Sequence, residues 1–373
     1  MSAIIENRRL RDLDWFLMLL AVGIALFGAW QIHNAQPEAN YWKKQLIGLA
    51  VSLVAMMIVA FTDYRKLVHF APAFYIFGLV LLALVLVPGI GHKVNGQQAW
   101  ILIPGLGTFQ PSEFVKIPTA LMLARYFGKS RPSVLSLGEM LVGGVILALP
   151  VGLILLEPDA GQAITYFPLL AVVLFLSSIR MRLVVAALVA AVVLVPASYY
   201  VGVKTGAIKG YQQERINVIL DPENADRRGF GYHTWQSMLT VGKGRLTGAR
   251  TASDNTQSRL KFLPEPHTDF IFAVTAETTG FVGSLCLLLA YAVLLSKLVT
   301  GARRAPDRMG MLVIMAFVGG FAFQIFINVG MTLGLLPVIG VPLPMMSAGL
   351  SAVLATFIAI GFAISIRLRR YVN

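Results

Sequence analysis

Charge is scarce in this sequence. Of its 373 residues only 13% are Asp, Glu, Lys or Arg, against about 25% in an ordinary soluble domain. With 57% hydrophobic residues, one soluble core cannot absorb the apolar surface, so an ordinary cytosolic enzyme is excluded. Cysteine is almost missing: Cys286 stands alone in an apolar run, so no intramolecular disulfide is possible and redox chemistry has little to work with. The composition also excludes a disordered chain, a collagen and a disulfide scaffold. Acidic residues are the scarcer charge, 18 against 31 Lys and Arg, for a net +13. Such an excess suits nucleic acid, an anionic membrane surface or an acidic substrate, and its placement decides among them.

What the chain does have is long apolar runs and a mean hydropathy of +0.74. A bilayer-spanning helix needs about 20 mostly apolar residues, and ten stretches qualify: 13–31, 45–61, 68–88, 112–127, 137–156, 162–178, 183–203, 270–296, 310–334 and 348–366. They show no sustained alternation and are about twice the length of a barrel strand. The expected fold is an all-α polytopic membrane protein of about ten transmembrane helices, a single membrane domain over 1–373. The first run follows Arg8, Arg9 and Arg11, is long and lacks a small-residue cleavage site, so it reads as a retained anchor rather than a signal peptide. No internal repeat is evident.

Lys and Arg in short loops set orientation. With the N-terminus inside, cytoplasmic segments hold Arg65, Lys66, Arg125, Lys129, Arg131, Arg180, Arg182, Lys297, Arg303, Arg304, Arg308, Arg367, Arg369 and Arg370, whereas the short outer loops hold only Lys43, Lys44 and Lys93. Both termini are therefore expected in the cytoplasm. Most of the positive charge orients the protein, and nucleic acid is not needed to explain it. One extracytoplasmic loop, about 204–269 between the seventh and eighth spans, is long and carries ten basic and seven acidic residues. It is too rich in Tyr, Trp, Ile and Leu for disorder, and long loops are often functional.

Ionisable groups at the edge of a membrane span cost free energy and invite a functional reading. In Gln110-Pro111-Ser112-Glu113-Phe114-Val115-Lys116, Glu113 and Lys116 share a helical face. They are either a helix-start carboxylate with its local ion pair or a buried cation for an anion such as phosphate. In Glu157-Pro158-Asp159-Ala160-Gly161-Gln162, Asp159 either caps the next helix or presents a carboxylate to a metal or a sugar hydroxyl. In Leu263-Pro264-Glu265-Pro266-His267-Thr268-Asp269-Phe270, Thr268 or Asp269 is a candidate cap. The crowding of Glu265, His267 and Asp269 where the long loop re-enters the membrane also suits a carboxylate of raised pKa acting as general base. Zinc is a poorer fit, since this spacing points to both faces of any regular element.

Taken together and in this order, these stretches resemble the SEDS family (shape, elongation, division and sporulation), on its RodA rather than its FtsW side. The resemblance runs through QPSEFVK (110–116), EPDAGQA (157–163), YQQERI (211–216), GFGYHTWQS (229–237), NTQSRLKFLPEPHTDFIFAV (255–274) and GLLPVIGVPLPMMSAG (334–349). Departures occur at Ala99 beside Trp100, where the pattern has Arg. Others are Thr278 after Glu277, where it has paired Glu, Ser347-Ala348-Gly349-Leu350 for Ser-Tyr-Gly-Gly, and Lys243-Gly244-Arg245 in the Gly-rich stretch.

The resemblance implies a peptidoglycan glycosyltransferase that polymerises lipid II at the outer face of the cytoplasmic (inner) membrane during elongation, releasing undecaprenyl pyrophosphate. It implies Asp269 as general base, Lys116 paired with Glu113 at a phosphate, and Asp159 orienting substrate or a divalent ion. Trp100, Gln110, Glu265 and His267 are further substrate-site candidates. No organic cofactor is expected; a divalent cation, Mg or Mn, is. Expected partners are lipid II, the nascent glycan strand, a class B penicillin-binding protein supplying transpeptidation, and other elongation-complex membrane proteins. Two alternatives stay open: a non-catalytic scaffold that activates the transpeptidase, and a lipid II flippase or transporter.

Overall fold

The computed structural model of the protein describes residues 13–94, 97–103, 107–129, 135–180, scattered positions between 182 and 205, 231–249, 256–258, 260 and 262–369. The seventh apolar stretch (183–203) lies largely outside these residues. So do the outer loop up to residue 230 with YQQERI, and Arg8, Arg9, Arg11, Arg131 and Arg370.

The fold is mostly helical. Six helices are long and apolar enough to cross a membrane: α1 (Trp15–Ala35), α2 (Tyr41–Phe61), α6 (Leu137–Leu156), α10 (Ile271–Arg303), α11 (Arg308–Thr332) and α12 (Leu350–Leu368). Shorter helices supply the rest. They are α3 (Tyr64–His69) with α4 (Ala71–Val85), α5 (Pro111–Gly128), and α7 (Ala160–Ile164) with α8 (Phe167–Leu176). A further helix, α9 (Gly231–Lys243), lies in the long segment between the seventh and eighth apolar stretches and packs on α10 and α11. The apolar runs thus become helices because a chain in hydrocarbon must satisfy its own backbone.

One expectation needs correction: the fold is not all-α. Residues between α4 and α5 form an antiparallel sheet of β1 (Gly91–Val94), β2 (Gln97–Ile103) and β3 (Gly107–Phe109), in the order β1-β2-β3. The run Trp100-Ile101-Leu102-Ile103 is β-favouring and pairs Ile101 with Phe109 and Ile103 with Gly107. Lying outside the apolar spans, this segment is free to use sheet pairing.

The bundle has two unlike ends. At one, the starts of α1 and α11 and the ends of α2 and α12 are tied by ion pairs. The Tyr64 hydroxyl donates to Asp307 Oδ2 at 2.6 Å, Arg369 Nε lies 3.5 Å from Asp63 Oδ1, and Arg367 pairs with Asp14. At the other end the chain between α11 and α12 is irregular yet buried: Val341, Leu343, Met345 and Met346 are shielded. It dips about two turns below the end of α1, where a Cβ on Gly28 would lie 2.7 Å from Met346 Cα.

Irregular backbone is tolerated at such depth only if protein groups satisfy it, and side chains from three helices do so. Gln45 Nε2 (α2) donates to the Ser347 carbonyl at 3.1 Å, and its Oε1 accepts from Gly349 N at 3.2 Å. Asn328 Nδ2 (α11) donates to the Val341 carbonyl at 2.8 Å. The Tyr291 hydroxyl (α10) donates to the Pro344 carbonyl. Just beyond the loop, Ser351 Oγ on α12 accepts from Gln110 N at 2.8 Å and so ties α12 to the start of α5. This re-entrant loop is the floor on which the candidate site rests.

α10 is a helix in two pieces. Gly280 has φ 68° and ψ −166°, which divides a short arm, 271–279, from the long span 281–303. A left-handed φ of this kind falls to glycine because a Cβ would clash.

Candidate active site

Proline opens α5, as the missing N–H costs nothing in a first turn, and this sets Glu113 and Lys116 one turn into the bundle. Lys116 Nζ lies 3.0 Å from Glu113 Oε2, with only 13% and 5% of the two side chains exposed. The second carboxylate oxygen of Glu113 accepts from Gln162 Nε2 at 2.6 Å. The local ion pair therefore exists, and it is tied to the next hairpin.

Asp159 caps α7, its Oδ1 accepting from Gln162 N at 3.0 Å. Its other oxygen accepts from Gln110 Nε2 at 3.0 Å, so one carboxylate both caps α7 and ties it to the start of α5. Gly161 makes the approach possible: a Cβ there would lie 2.0 Å from the Ile339 carbonyl oxygen. Burial pushes the Asp159 carboxyl up to about 6. The charge of Glu113 raises it further, while the Gln162 N–H, Lys116 and Gln110 pull it down.

Asp269 is not the cap of α10. That place falls to Phe270, with no side-chain cap bond, because the chain turns tightly through Pro264 and Pro266, with Glu265 at φ 43°. The Asp269 backbone carbonyl accepts from Asn328 Nδ2 at 2.8 Å, and Ser347 Oγ donates to the Thr268 carbonyl at 2.7 Å. Its carboxyl faces the re-entrant loop, with Oδ2 3.2 Å from where a Cβ on Gly340 would stand. Burial pushes this carboxyl up to about 7, assisted by the charges of Glu265 and Asp159. Gly161 and Gly340 thus let the re-entrant loop close in on both residues, and the charge of Asp159 is felt at Asp269.

The weaker candidates divide. Gln110 belongs to the cluster. Glu265 is half exposed on its rim, 3.8 Å from His267 Nε2. His267 is buried and stacked on Tyr41, with ring centres 4.1 Å apart and planes 13° apart. Burial lowers its pKa, opposed by Glu265, so it is a neutral wall. Trp100 sits in β2 opposite His92, without a contact to the carboxylates among the described residues. Its neighbour Ala99 is fully buried, which leaves no room for the Arg of the family pattern. Among the described residues no three His, Cys, Asp or Glu side chains gather as a metal site. The oxygens of Glu113 and Asp159 are already engaged by protein donors, so the residues do not by themselves build a cation site.

Sequence reasoning did not select Gln162, Asn328, Ser347 or Tyr41. The available signal was weak: uncharged polar residues inside or beside apolar helices, each working on a partner far along the chain. Glu157 is fully buried next to Asp159 with neither oxygen hydrogen-bonded among the described residues. Burial, then the Asp159 charge, push its carboxyl up to about 8.

The profile of the FtsW/RodA/SpoVE family, described as cell cycle protein, matches residues 11–371. The peptidoglycan glycosyltransferase MrdB of Escherichia coli strain K12 is 36% identical over 361 residues, covering 96% of this chain and 94% of that protein. Among solved structures, a chain of a peptidoglycan synthase complex superposes with a TM-score of 0.83 at 31% identity, covering 97% of this chain and 99% of that one. The rod shape-determining protein RodA of Thermus thermophilus gives a TM-score of 0.71 at 27% identity, covering 97% and 98%. The chain belongs to the SEDS family, that of the FtsW, RodA and SpoVE cell cycle proteins.

Proposed function

We propose that this peptidoglycan glycosyltransferase polymerises lipid II at the outer face of the cytoplasmic membrane, with Asp269 as its general base. The observation that carries the reading is the meeting of Asp269 with Asp159 and the Glu113–Lys116 pair at one end of the bundle, above a floor set into the membrane. The 4-hydroxyl of an acceptor lipid II attacks the anomeric carbon of the donor strand, with inversion. Asp269 takes the hydroxyl proton, a task for which a carboxyl titrating near the working pH is well matched. Undecaprenyl pyrophosphate leaves. Lys116 spends one N–H on Glu113 and keeps others for a phosphate oxygen, in a dry setting where such contacts count most. Asp159, held by Gln110 and Gln162, orients the acceptor sugar.

The same reading places ten spans in the membrane, both termini inside, and the site outside. The basic end of the bundle supports this, because Arg65, Lys66, Arg303, Arg304, Arg308, Arg367 and Arg369 all lie away from the site. A class B penicillin-binding protein is the partner we propose, in line with the synthase complex whose chain this fold matches. Other elongation-complex membrane proteins complete the assembly. A Mg or Mn ion would be held chiefly by the substrate pyrophosphate, because the oxygens of Glu113 and Asp159 already have protein donors.

Purified protein with its transpeptidase, given lipid II, tests the assignment. Asp269→Asn is expected to insert, bind its partner and form no glycan. Near-normal glycan from that variant would sink it. One observation favours a second reading, lipid translocation: α10 is broken at Gly280, as in transporters. The charges, however, sit at one end rather than mid-membrane. Flipping of labelled lipid II in vesicles without polymerisation would decide for translocation.

A further inference from the structure

The break in α10 is plugged by backbone from the outer loop. Phe281 N donates to the Arg245 carbonyl at 2.8 Å, and Val282 N to the Leu246 carbonyl at 3.1 Å. The exposed N–H groups that open the span 281–303 therefore have partners. On the other side of the break, Ala249 N donates to the Glu277 carbonyl at 2.8 Å. The loop packs so closely that a Cβ on Gly248 would lie 2.2 Å from the Thr278 carbonyl oxygen.

Glu277 is held by its side chain too. It is fully buried. Its Oε1 accepts from Gln257 N at 2.5 Å, and its Oε2 accepts from Ser258 N at 3.3 Å and from the Ser258 hydroxyl. A carboxylate with three donors is a strong anchor. Thr278 ties the same turn to α1 by donating to Gln31 Oε1 at 2.8 Å. Glu277 lies in the last turn of the short arm 271–279, and Asp269 stands just before the other end. Between them the arm is nearly all buried.

We propose that Glu277 is a positioning residue for Asp269: its carboxylate clips residues 257–258 to the broken helix and so fixes the arm that carries the base. The arm has a glycine hinge at one end and a tight Pro-rich turn at the other. Without the clip it can tilt as a unit. A displacement of about 1 Å at a reacting group can cost a hundredfold in rate. The same tilt opens the Asp269 pocket, where Glu265 and Asp159 are the charged neighbours, to water.

The inference rests on Asp269 as the base, and its test separates the two. Glu277→Gln keeps the shape but cannot accept from all three donors, since its amide nitrogen is no acceptor. Ser258→Ala removes only the hydroxyl and leaves the carboxylate and both backbone N–H groups, so it folds where the glutamine variant fails. Lipid II polymerisation is measured per folded molecule across pH, with folding read from thermal stability in detergent.

For Glu277→Gln, kcat is expected to fall about tenfold with KM within about twofold. For Ser258→Ala the fall is about threefold, and the double variant is no worse than Glu277→Gln alone. The acid limb of the rate profile moves to lower pH, because water reaching Asp269 favours its charged form. A wild-type kcat per folded molecule overturns the proposal, as does a loss confined to KM or a loss with the acid limb unmoved. Full activity in Asp269→Asn would instead overturn the general-base assignment itself.

Discussion

Asp269 keeps its proton to about pH 7 because it stands in a poorly solvated turn with two acidic neighbours. That is above the ordinary aspartate value of 3.8, so between these limits the folded protein holds a proton that the unfolded chain has released. Its contribution to stability is complete below the unfolded value and is lost as pH rises through 7. Two outcomes follow for one residue. The rate of glycan synthesis falls as pH drops below about 7, and Asp269→Asn is inactive yet more stable at neutral pH by on the order of 1 kcal/mol. Thermal melts of wild type and variant across pH check the second point.

Lys116 behaves differently, because it is paired. Lys116→Gln strands Glu113 and is expected to lower both activity and melting temperature. The double change with Glu113→Gln restores the melt but not glycan synthesis, since a buried pair removed together leaves no orphan charge. Charged residues at span edges were legible in the sequence for this reason: burial makes each one conspicuous. Gln162, Asn328 and Ser347 were not, because an uncharged polar side chain carries little insertion cost and its partner is remote.

Among the elements, the long spans were readable from hydropathy, and the breaks within them were not. α10 is continuous in apolar character, and only the backbone reveals that Gly280 divides it. The sheet escaped because its strands are short and lie in a loop set between apolar runs. The α6–α7 turn tells a finer story. Asp159 was legible both as a cap and as a site carboxylate; the cap is present, and its second oxygen is held by Gln110. Gly161, two residues on, marks where two backbones touch. Gly161→Ala is therefore expected to destabilise by about 1–3 kcal/mol and to lower activity. Gly152→Ala on neighbouring α6 is expected to be neutral or slightly stabilising, since nothing lies within 4 Å of its new methyl. A melt and a glycan assay on the pair distinguish close approach from simple glycine loss.

For the whole molecule, the distribution of charge is the argument for the proposed topology. Basic residues crowd one end, and the carboxylate cluster with its few partners occupies the other. Cysteine labelling tests the orientation. In a background with Cys286→Ser, which removes the exposed native thiol, Glu265→Cys is expected to react with a membrane-impermeant reagent in intact cells. Lys66→Cys is expected to react only after the cells are opened. The reverse pattern would invert the topology.

The re-entrant loop also bears on how the protein is made. Its carbonyls are taken up by Gln45, Tyr291 and Asn328, residues on three helices far apart in the chain, and its far end runs into α12. While the chain is still being threaded into the bilayer, that stretch has nowhere to lodge, and Asp269 has no surface beneath it. A half-made protein therefore holds its charged residues but no working pocket. The pocket is complete only once α12 has joined the helices that precede it.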